Sequence, residues 1–264
     1  MAKQEHPKVG FASDFPIEDA TFEISSVSQM STSVIDRIVQ TFNSLGFFIV
    51  KCALATEPRD NLLALAPFFG RVVPHNRSDR HGVLSVNAKA PKAGFIDSMS
   101  LPHPLHTDGA FKDDPEKVIA LQCVVPAEKG GTSLLSSGKR AHDALAPEER
   151  QPLYADDAIS IQRNDQYSTK PVFRRLADHI EMCFRLDGTA ETKANTEAQS
   201  GLGALKRALD DQQLSFDMAP HEILVIDNTS IVHGREAFPE DSARHYNRLN
   251  FDGHGLLPLS FGFS

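Results

Sequence analysis

From residue 118 onward the apolar residues of this chain fall into short runs that mostly follow one another directly. The runs are VIALQCVV (118–125), TSLLSS (132–137), AISIQ (158–162), IEMCFRL (180–186), ILVID (223–227), SIVHG (230–234) and RHYNRLNF (244–251). Gly, Pro, Asn or Asp marks most of the joints, as expected where strands turn back on themselves. Helical patterns intervene only near 139–154 and 196–212. A doubly wound parallel sheet needs a helix after nearly every strand. The order seen here predicts a mainly β fold with flanking helices, an antiparallel sandwich or barrel with the helices packed outside.

The first third adds fewer elements. SVIDRIVQTFNSLG (33–46) places Ile35, Ile38, Val39, Phe42 and Leu45 on one helical face, with Ser33 and Asp36 at its start and Gly46 at its end. FFIVK reads as a strand, and EPRDNLLALAPFFG (57–70) as a second short helix. Residues 74–104 are rich in Pro, Gly, His and Ser and have few apolar runs apart from VLSV, the pattern of a long loop that carries function. No repeat or linker divides the chain, so one domain is expected over 1–264, with insert or lid segments near 74–104 and 163–215.

A net charge of −8 argues against a nucleic-acid footprint or an anionic membrane surface as partner. No apolar run reaches the length of a membrane span, about 18 residues, and MAKQEHPKVGF lacks the apolar stretch of a signal peptide. Cys52, Cys123 and Cys183 are odd in number, far apart and set in apolar runs, the pattern of reduced, buried thiols. The expectation is a cytoplasmic protein with a small-molecule partner. Homo-oligomerisation is left open.

Within SLPHPLHTDGAF (100–111), His106 and Asp108 are two residues apart. On a strand they point to one side while Thr107 points away. Two histidines and one carboxylate on one face of a metal leave positions open for substrate and oxygen, the arrangement of non-haem Fe(II) oxygenases. The triplet alone is weak, since roughly 1.5 His-x-Asp/Glu matches are expected by chance in a chain of this composition. A second match, His179-Ile180-Glu181, sits in a run whose alternation is that of an ordinary half-buried strand. More informative is ILVIDNTSIVHGREAFPEDSARHYNRLNFDG (223–253). Its second apolar run ends in His233; Arg244 follows eleven residues later and Arg248 four after that. Arg244, Tyr246 and Arg248 would share a strand face, the two arginines roughly 13 Å apart. Such a pair belongs either on a solvated surface or opposite bound anions, which the planar guanidinium grips bidentately.

Taken together, His106-Thr107-Asp108, His233, Arg244 and Arg248 resemble the motif set of the TauD/TfdA family of Fe(II)/2-oxoglutarate-dependent dioxygenases. GGTSLLSSG (130–138) is similar to that family's Gly-Gly-x-Thr strand opening, DNTSIVHGREAF to its Asp-Asn-…-His-Gly-Arg segment, and FGRVVPH (69–75) to its Phe-Gly turn. The resemblance covers nearly the whole chain in the right order. It implies a double-stranded β-helix, the jelly-roll core of the cupin type. It also implies Fe(II) held by His106, Asp108 and His233, and O2 and 2-oxoglutarate as co-substrates. Arg244, helped by Thr132, would hold the distal carboxylate of 2-oxoglutarate. Decarboxylation to succinate and CO2 would accompany oxidation of an unactivated C–H, most simply a hydroxylation. Arg248 and His75 match positions that contact an anionic substrate group, with Asn87 and Arg163 as further candidates. An amino acid or related small acid is the expected substrate. Leu105 and Ser78 replace a Trp and a Tyr of the taurine-oxidising member, which speaks against taurine itself. His103 is assigned to the mobile approach to the site, not to the ligand set. Two other classes fit the residues alone: an oxygen-independent metal hydrolase or isomerase on a cupin-like barrel, and a non-catalytic binding barrel.

Overall fold

The computed structural model describes residues 8–53, 57–87 and 99–264. In chain order its strands are β1 (Thr21–Ile24), β2 (Phe47–Cys52), β3 (Leu84–Asn87), β4 (His103–His106), β5 (Val118–Val125), β6 (Ser133–Ser137), β7 (Ile159–Arg163), β8 (Gln166–Lys170), β9 (Phe173–Arg175), β10 (Ile180–Met182), β11 (Glu191–Ala194), β12 (Leu214–Phe216), β13 (Glu222–Asp227), β14 (Ile231–Arg235) and β15 (His245–Phe251). The helices are α1 (Thr32–Leu45), α2 (Pro58–Leu63), α3 (Ala66–Phe69), α4 (Gly138–Ala144), α5 (Pro147–Arg150) and α6 (Ala198–Asp211).

Six strands form a major sheet in the order β1-β2-β13-β5-β15-β3, and four form a minor sheet in the order β12-β6-β14-β4. All of these pairs are antiparallel except β1 with β2. The two sheets face each other as the jelly-roll core. Phe47, Ile49, Ile119, Leu224, Ile226 and Tyr246 of the major sheet meet Leu135, Leu214, Phe216 and Ile231 of the minor sheet. The opposite face of the major sheet carries Phe48, Val50, Val118, Ala120, Ile223 and Val225, which pack on Ile38 and Phe42 of α1 and on Leu62 and Phe69. A strand buried on both faces has no polar side, so β13 reads as the unbroken run ILVI. The minor sheet is covered likewise: Leu134 and Val232 turn outward onto β7 and α6. That outer layer draws on Leu145, Leu153, Ile159 and Ile161 as well as on α6, so it only partly coincides with the 163–215 segment expected as an insert. Part of the other expected insert, 88–98, lies outside the described residues.

Several boundaries differ from the sequence reading. The cap of α1 is Ser31, whose hydroxyl accepts from the Val34 N–H, not Ser33; Gly46 ends the helix in the left-handed region as expected. The helix expected over 57–70 breaks into α2 and α3, because Pro67 has no N–H to donate and suits only a first turn. Pro147 and Pro152 divide the pattern at 139–154 in the same way. The strand expected over 180–186 ends at Met182. Beyond it the chain bonds to the motif segment instead: Thr107 N–H donates to the Phe184 carbonyl, and Arg185 bridges to His106. Cys52 and Cys123 are buried as expected, but Cys183 is half-buried; all three are free thiols. No helix among the described residues is long and apolar enough to cross a membrane.

The second His-x-Glu match is structural. Glu181 in β10 is paired with Lys117 at 2.6 Å and with Arg174. Burial works to raise its carboxyl, but these two cations outweigh burial and hold it below its ordinary value. A carboxylate depressed on folding stabilises above its unfolded pKa, about 4.3 for Glu, and loses that contribution as the pH falls through the lower folded value. Glu181→Gln should therefore cost roughly 1–3 kcal/mol at neutral pH and flatten the acid limb of the stability profile, measured by urea unfolding between pH 7 and pH 3. An unchanged acid limb would show that Glu181 is not held by these pairs.

Candidate metal centre

β4 and β14 lie side by side in the minor sheet, with His106 and His233 directly opposite each other. Asp108 follows β4 by two residues. Its main chain is held by the Asn228 carboxamide, which accepts from the Asp108 N–H at 2.8 Å and donates to the Asp108 carbonyl at 3.0 Å and to the Glu116 carbonyl at 2.7 Å. Thr107, between the two candidate ligands, turns the other way and bonds Phe184. One ligand atom from each of His106, Asp108 and His233 can be chosen so that all three lie within 4.8 Å of one another.

These groups are buried and short of partners. His106 Nε2, Asp108 Oδ2 and His233 Nδ1 have no hydrogen-bond partner, although Arg248 Nη1 stands 2.9 Å from Asp108 Oδ2 as an ion pair. His106 Nδ1 donates to the Pro104 carbonyl at 2.9 Å, which fixes the tautomer and leaves the Nε2 lone pair toward Asp108 Oδ1 at 3.4 Å. Burial pushes the His233 imidazole down to about 3. Burial would raise Asp108, but Arg248 and the two histidines hold it well below the carboxylate range. At neutral pH the cluster thus offers neutral His233 and ionised Asp108, the states in which these groups ligate a metal. The donor set fits a divalent ion with open positions.

The structure corrects the assignment of His103. It is buried in β4, its ring stacked on His106 at 3.9 Å, and its Nε2 is 3.1 Å from Asp187 Oδ2. It is thus a fixed wall of the centre. His103, His106 and Asp187 also form a second group with ligand atoms within 4.8 Å.

Two cavities meet at the centre. The inner one, between the sheets, is lined by His233, Arg244, Tyr246, Ser133 and Arg248. Arg244, Tyr246 and Arg248 thus share a face, as the strand alternation predicts. Arg244 is buried, lies 3.9 Å over the Tyr246 ring, and has no hydrogen-bond partner for its Nε. Gly131, held at φ +71°, lets the chain pass this arginine; a Cβ there would be 3.1 Å from Nε. Thr132 is not on the cavity wall, whereas Ser133 is. Thr132 immediately precedes β6, which begins at Ser133. The outer cavity is lined by Asp108, His75, Arg163 and Arg248, together with Phe111, Lys112, Glu116 and Arg185, which the sequence reading did not single out. His75 Nδ1 accepts from the Arg77 N–H, which leaves the ring proton on Nε2, and the Ser78 hydroxyl accepts from the His75 N–H. Asn87 lines neither cavity; it ends β3 and donates to Ser85 Oγ.

Because Asn228 grips both the N–H and the carbonyl of Asp108, Asn228→Ala should lower Fe(II) affinity roughly 10- to 100-fold while the fold is retained. Anaerobic Fe(II) titration beside circular dichroism checks this; unchanged affinity would show that Asp108 does not need that support.

Comparison with known proteins places these features. The family model described as "Taurine catabolism dioxygenase TauD, TfdA family" matches residues 8–250. A uridine-5'-phosphate dioxygenase from Streptomyces sp is 30% identical over 156 residues, 53% of this chain and 57% of that protein's length. Another from Amycolatopsis sp is 27% identical over 244 residues, 80% of this chain and 86% of that one. Among solved structures, an asparagine oxygenase with Fe(II), 2S,3S-3-hydroxyasparagine and succinate superposes with a TM-score of 0.66 at 14% identity, covering 88% of this chain and 93% of that one. The non-heme iron oxygenase OrfP with iron, succinate and (3S)-hydroxy-L-Arg gives 0.69 at 16% identity, covering 85% and 81%. The chain belongs to the TauD/TfdA family of Fe(II)/2-oxoglutarate-dependent dioxygenases.

Proposed function

We propose that this dioxygenase hydroxylates an unactivated C–H of a small anionic substrate. His106, Asp108 and His233 hold Fe(II), and Arg244 receives the distal carboxylate of 2-oxoglutarate. The observation that carries the reading is the pairing of two kinds of unsatisfied group. Three buried residues that each carry an atom without a hydrogen-bond partner bring ligand atoms within 4.8 Å of one another, and Arg244, whose Nε also lacks one, lines the adjoining cavity. Leaving such groups buried and unpaired is costly unless a ligand meets them.

The bound iron supplies O2 activation coupled to decarboxylation of 2-oxoglutarate to succinate and CO2. The protein's own residues bind and orient. Arg244 fixes 2-oxoglutarate by its far end, with Ser133 on the same wall to complete the carboxylate's hydrogen bonds. Arg248 and His75, with Arg163 at the far wall, orient the substrate's charge so that one C–H faces the metal. The relatives and structural neighbours act on uridine-5'-phosphate or hold hydroxylated amino acids. An ionised group is common to all of these.

An oxygen-independent hydrolase on the same barrel would give Arg244 nothing to do. Arg244→Met should raise the KM for 2-oxoglutarate roughly 10- to 100-fold and leave Fe(II) affinity as it was. This is read as succinate formation against 2-oxoglutarate concentration, with or without O2. Turnover that survives without O2 and ignores Arg244→Met would overturn the reading.

A further inference from the structure

The outer cavity has a wall that the roles above do not explain. Arg185 stands on it, and its backbone bridges directly to His106, so its guanidinium is fixed relative to the metal centre. Its Nη2 reaches Asp187 at 2.6 Å and Thr189 at 2.7 Å. Arg185 is only 3% exposed, yet its Nε has no hydrogen-bond partner. Phe111 lies between two guanidiniums, with Arg163 and Arg185 at 5.2 and 5.8 Å from its ring centre. Lys112, the next residue, brings a third cationic head to the same wall, 2.6 Å from Glu116. These three cations come from separate segments: the loop after β4, the end of β7 and the stretch after β10.

We infer that Lys112, Arg163 and Arg185 form a subsite for the phosphate of a phosphate-monoester substrate. This rests on the oxygenase reading above and adds the identity of the substrate's charged group. A carboxylate is satisfied by one guanidinium fork, and Arg248 beside Asp108 is enough for that. Lys112 spends one donor on Glu116 and Arg185 one on Asp187, yet with Arg163 the three heads on this wall keep more N–H donors, from more directions, than two carboxylate oxygens accept. The three terminal oxygens of a phosphate monoester take donors from several cations at once, with arginine providing the fork and lysine a point charge. The chain as a whole is acidic, with a net charge of −8, whereas this cavity sets Lys112, Arg163, Arg185 and Arg248 against Asp108 and Glu116, so its cationic balance runs against the average. It draws a dianion more strongly than a zwitterion. Both curated relatives are named for a substrate that carries a phosphate.

The test uses the full chain loaded with Fe(II) and 2-oxoglutarate without O2, titrated by calorimetry with uridine-5'-phosphate, inorganic phosphate, acetate and L-aspartate. The two phosphates are expected to bind at least about tenfold tighter than acetate or aspartate. Arg163→Gln and Lys112→Gln should each weaken phosphate binding roughly 10- to 100-fold, with Fe(II) and 2-oxoglutarate affinities unchanged. These two variants, at part-exposed positions, avoid the risk that loss of the buried Arg185–Asp187 pair unfolds the protein. The inference is overturned if neither phosphate binds tighter than acetate and aspartate, or if both variants leave phosphate affinity unaltered. Fe(II) and 2-oxoglutarate binding are read in the same samples. Their absence in the wild type would sink the oxygenase reading itself, whereas their presence without a phosphate preference would end only the subsite.

Discussion

The turn between β13 and β14 holds this structure together at the point where the chemistry is built. Asp227, 0% exposed, accepts from Lys8 Nζ at 2.6 Å, from the Thr229 N–H and hydroxyl, from the Ser230 hydroxyl and from the Gly262 N–H. A carboxylate taken out of water is tolerable only when its oxygens are met in this way. These bonds join a residue near each end of the described chain to the centre of the jelly roll. The next residue, Asn228, turns its carboxamide to the opposite side and holds Asp108 and Glu116 by their main chains. One buried turn therefore sets the end of the major sheet, the start of β14 with His233, and the position of Asp108.

Electrostatics then divides the space around the centre. The His233 imidazole is kept neutral by burial and the Asp108 carboxylate is kept ionised by Arg248, so these two candidate ligands need lose no proton to receive a metal. His103 is also driven well below its ordinary value, first by burial and then by the neighbouring His106, and it faces Asp187. Stacked on His106, it backs one candidate ligand as Asn228 backs another. Arg244 lines the inner cavity only and Arg163 and Arg185 the outer one only, while Arg248 lines both, so under the proposed function an anion on each side would meet its own arginine. A dianionic co-substrate and an anionic substrate can thus approach the same point from different directions without competing for one cation.

Much of this was legible in the sequence because it follows from periodicity. The run ILVI required a strand buried on both faces, and the alternation of RHYNRLNF put Arg244, Tyr246 and Arg248 on one side. His106, Asp108 and His233 could be brought together only through a family resemblance, since 125 positions separate the last two. Other features left no periodic trace. His103 looked like part of a proline-rich approach, and its stacking on His106 exists only once β4 pairs with β14. Arg185 and Asp187 were hidden at the end of a run whose alternation was ordinary, and the bridge from Arg185 to His106 is a contact across the fold. In Gly130-Gly131-Thr132-Ser133 the fourth place of the Gly-Gly-x-Thr pattern falls on Ser133, and it is Ser133 that lines the inner cavity. Asn87 was placed by its position in a loop-like segment; the strand that captured it turns it away from both cavities.

Two groups of candidate ligands share His106: one with Asp108 and His233, where the proposed function puts the metal, and one with His103 and Asp187. Anomalous diffraction at the iron edge, from crystals loaded with Fe(II) and 2-oxoglutarate without O2, tests this most directly. A single iron bound by His106, Asp108 and His233 is expected, with the far carboxylate of 2-oxoglutarate on Arg244. Iron bound by Asp187 and His103, or 2-oxoglutarate directed away from Arg244, would contradict it.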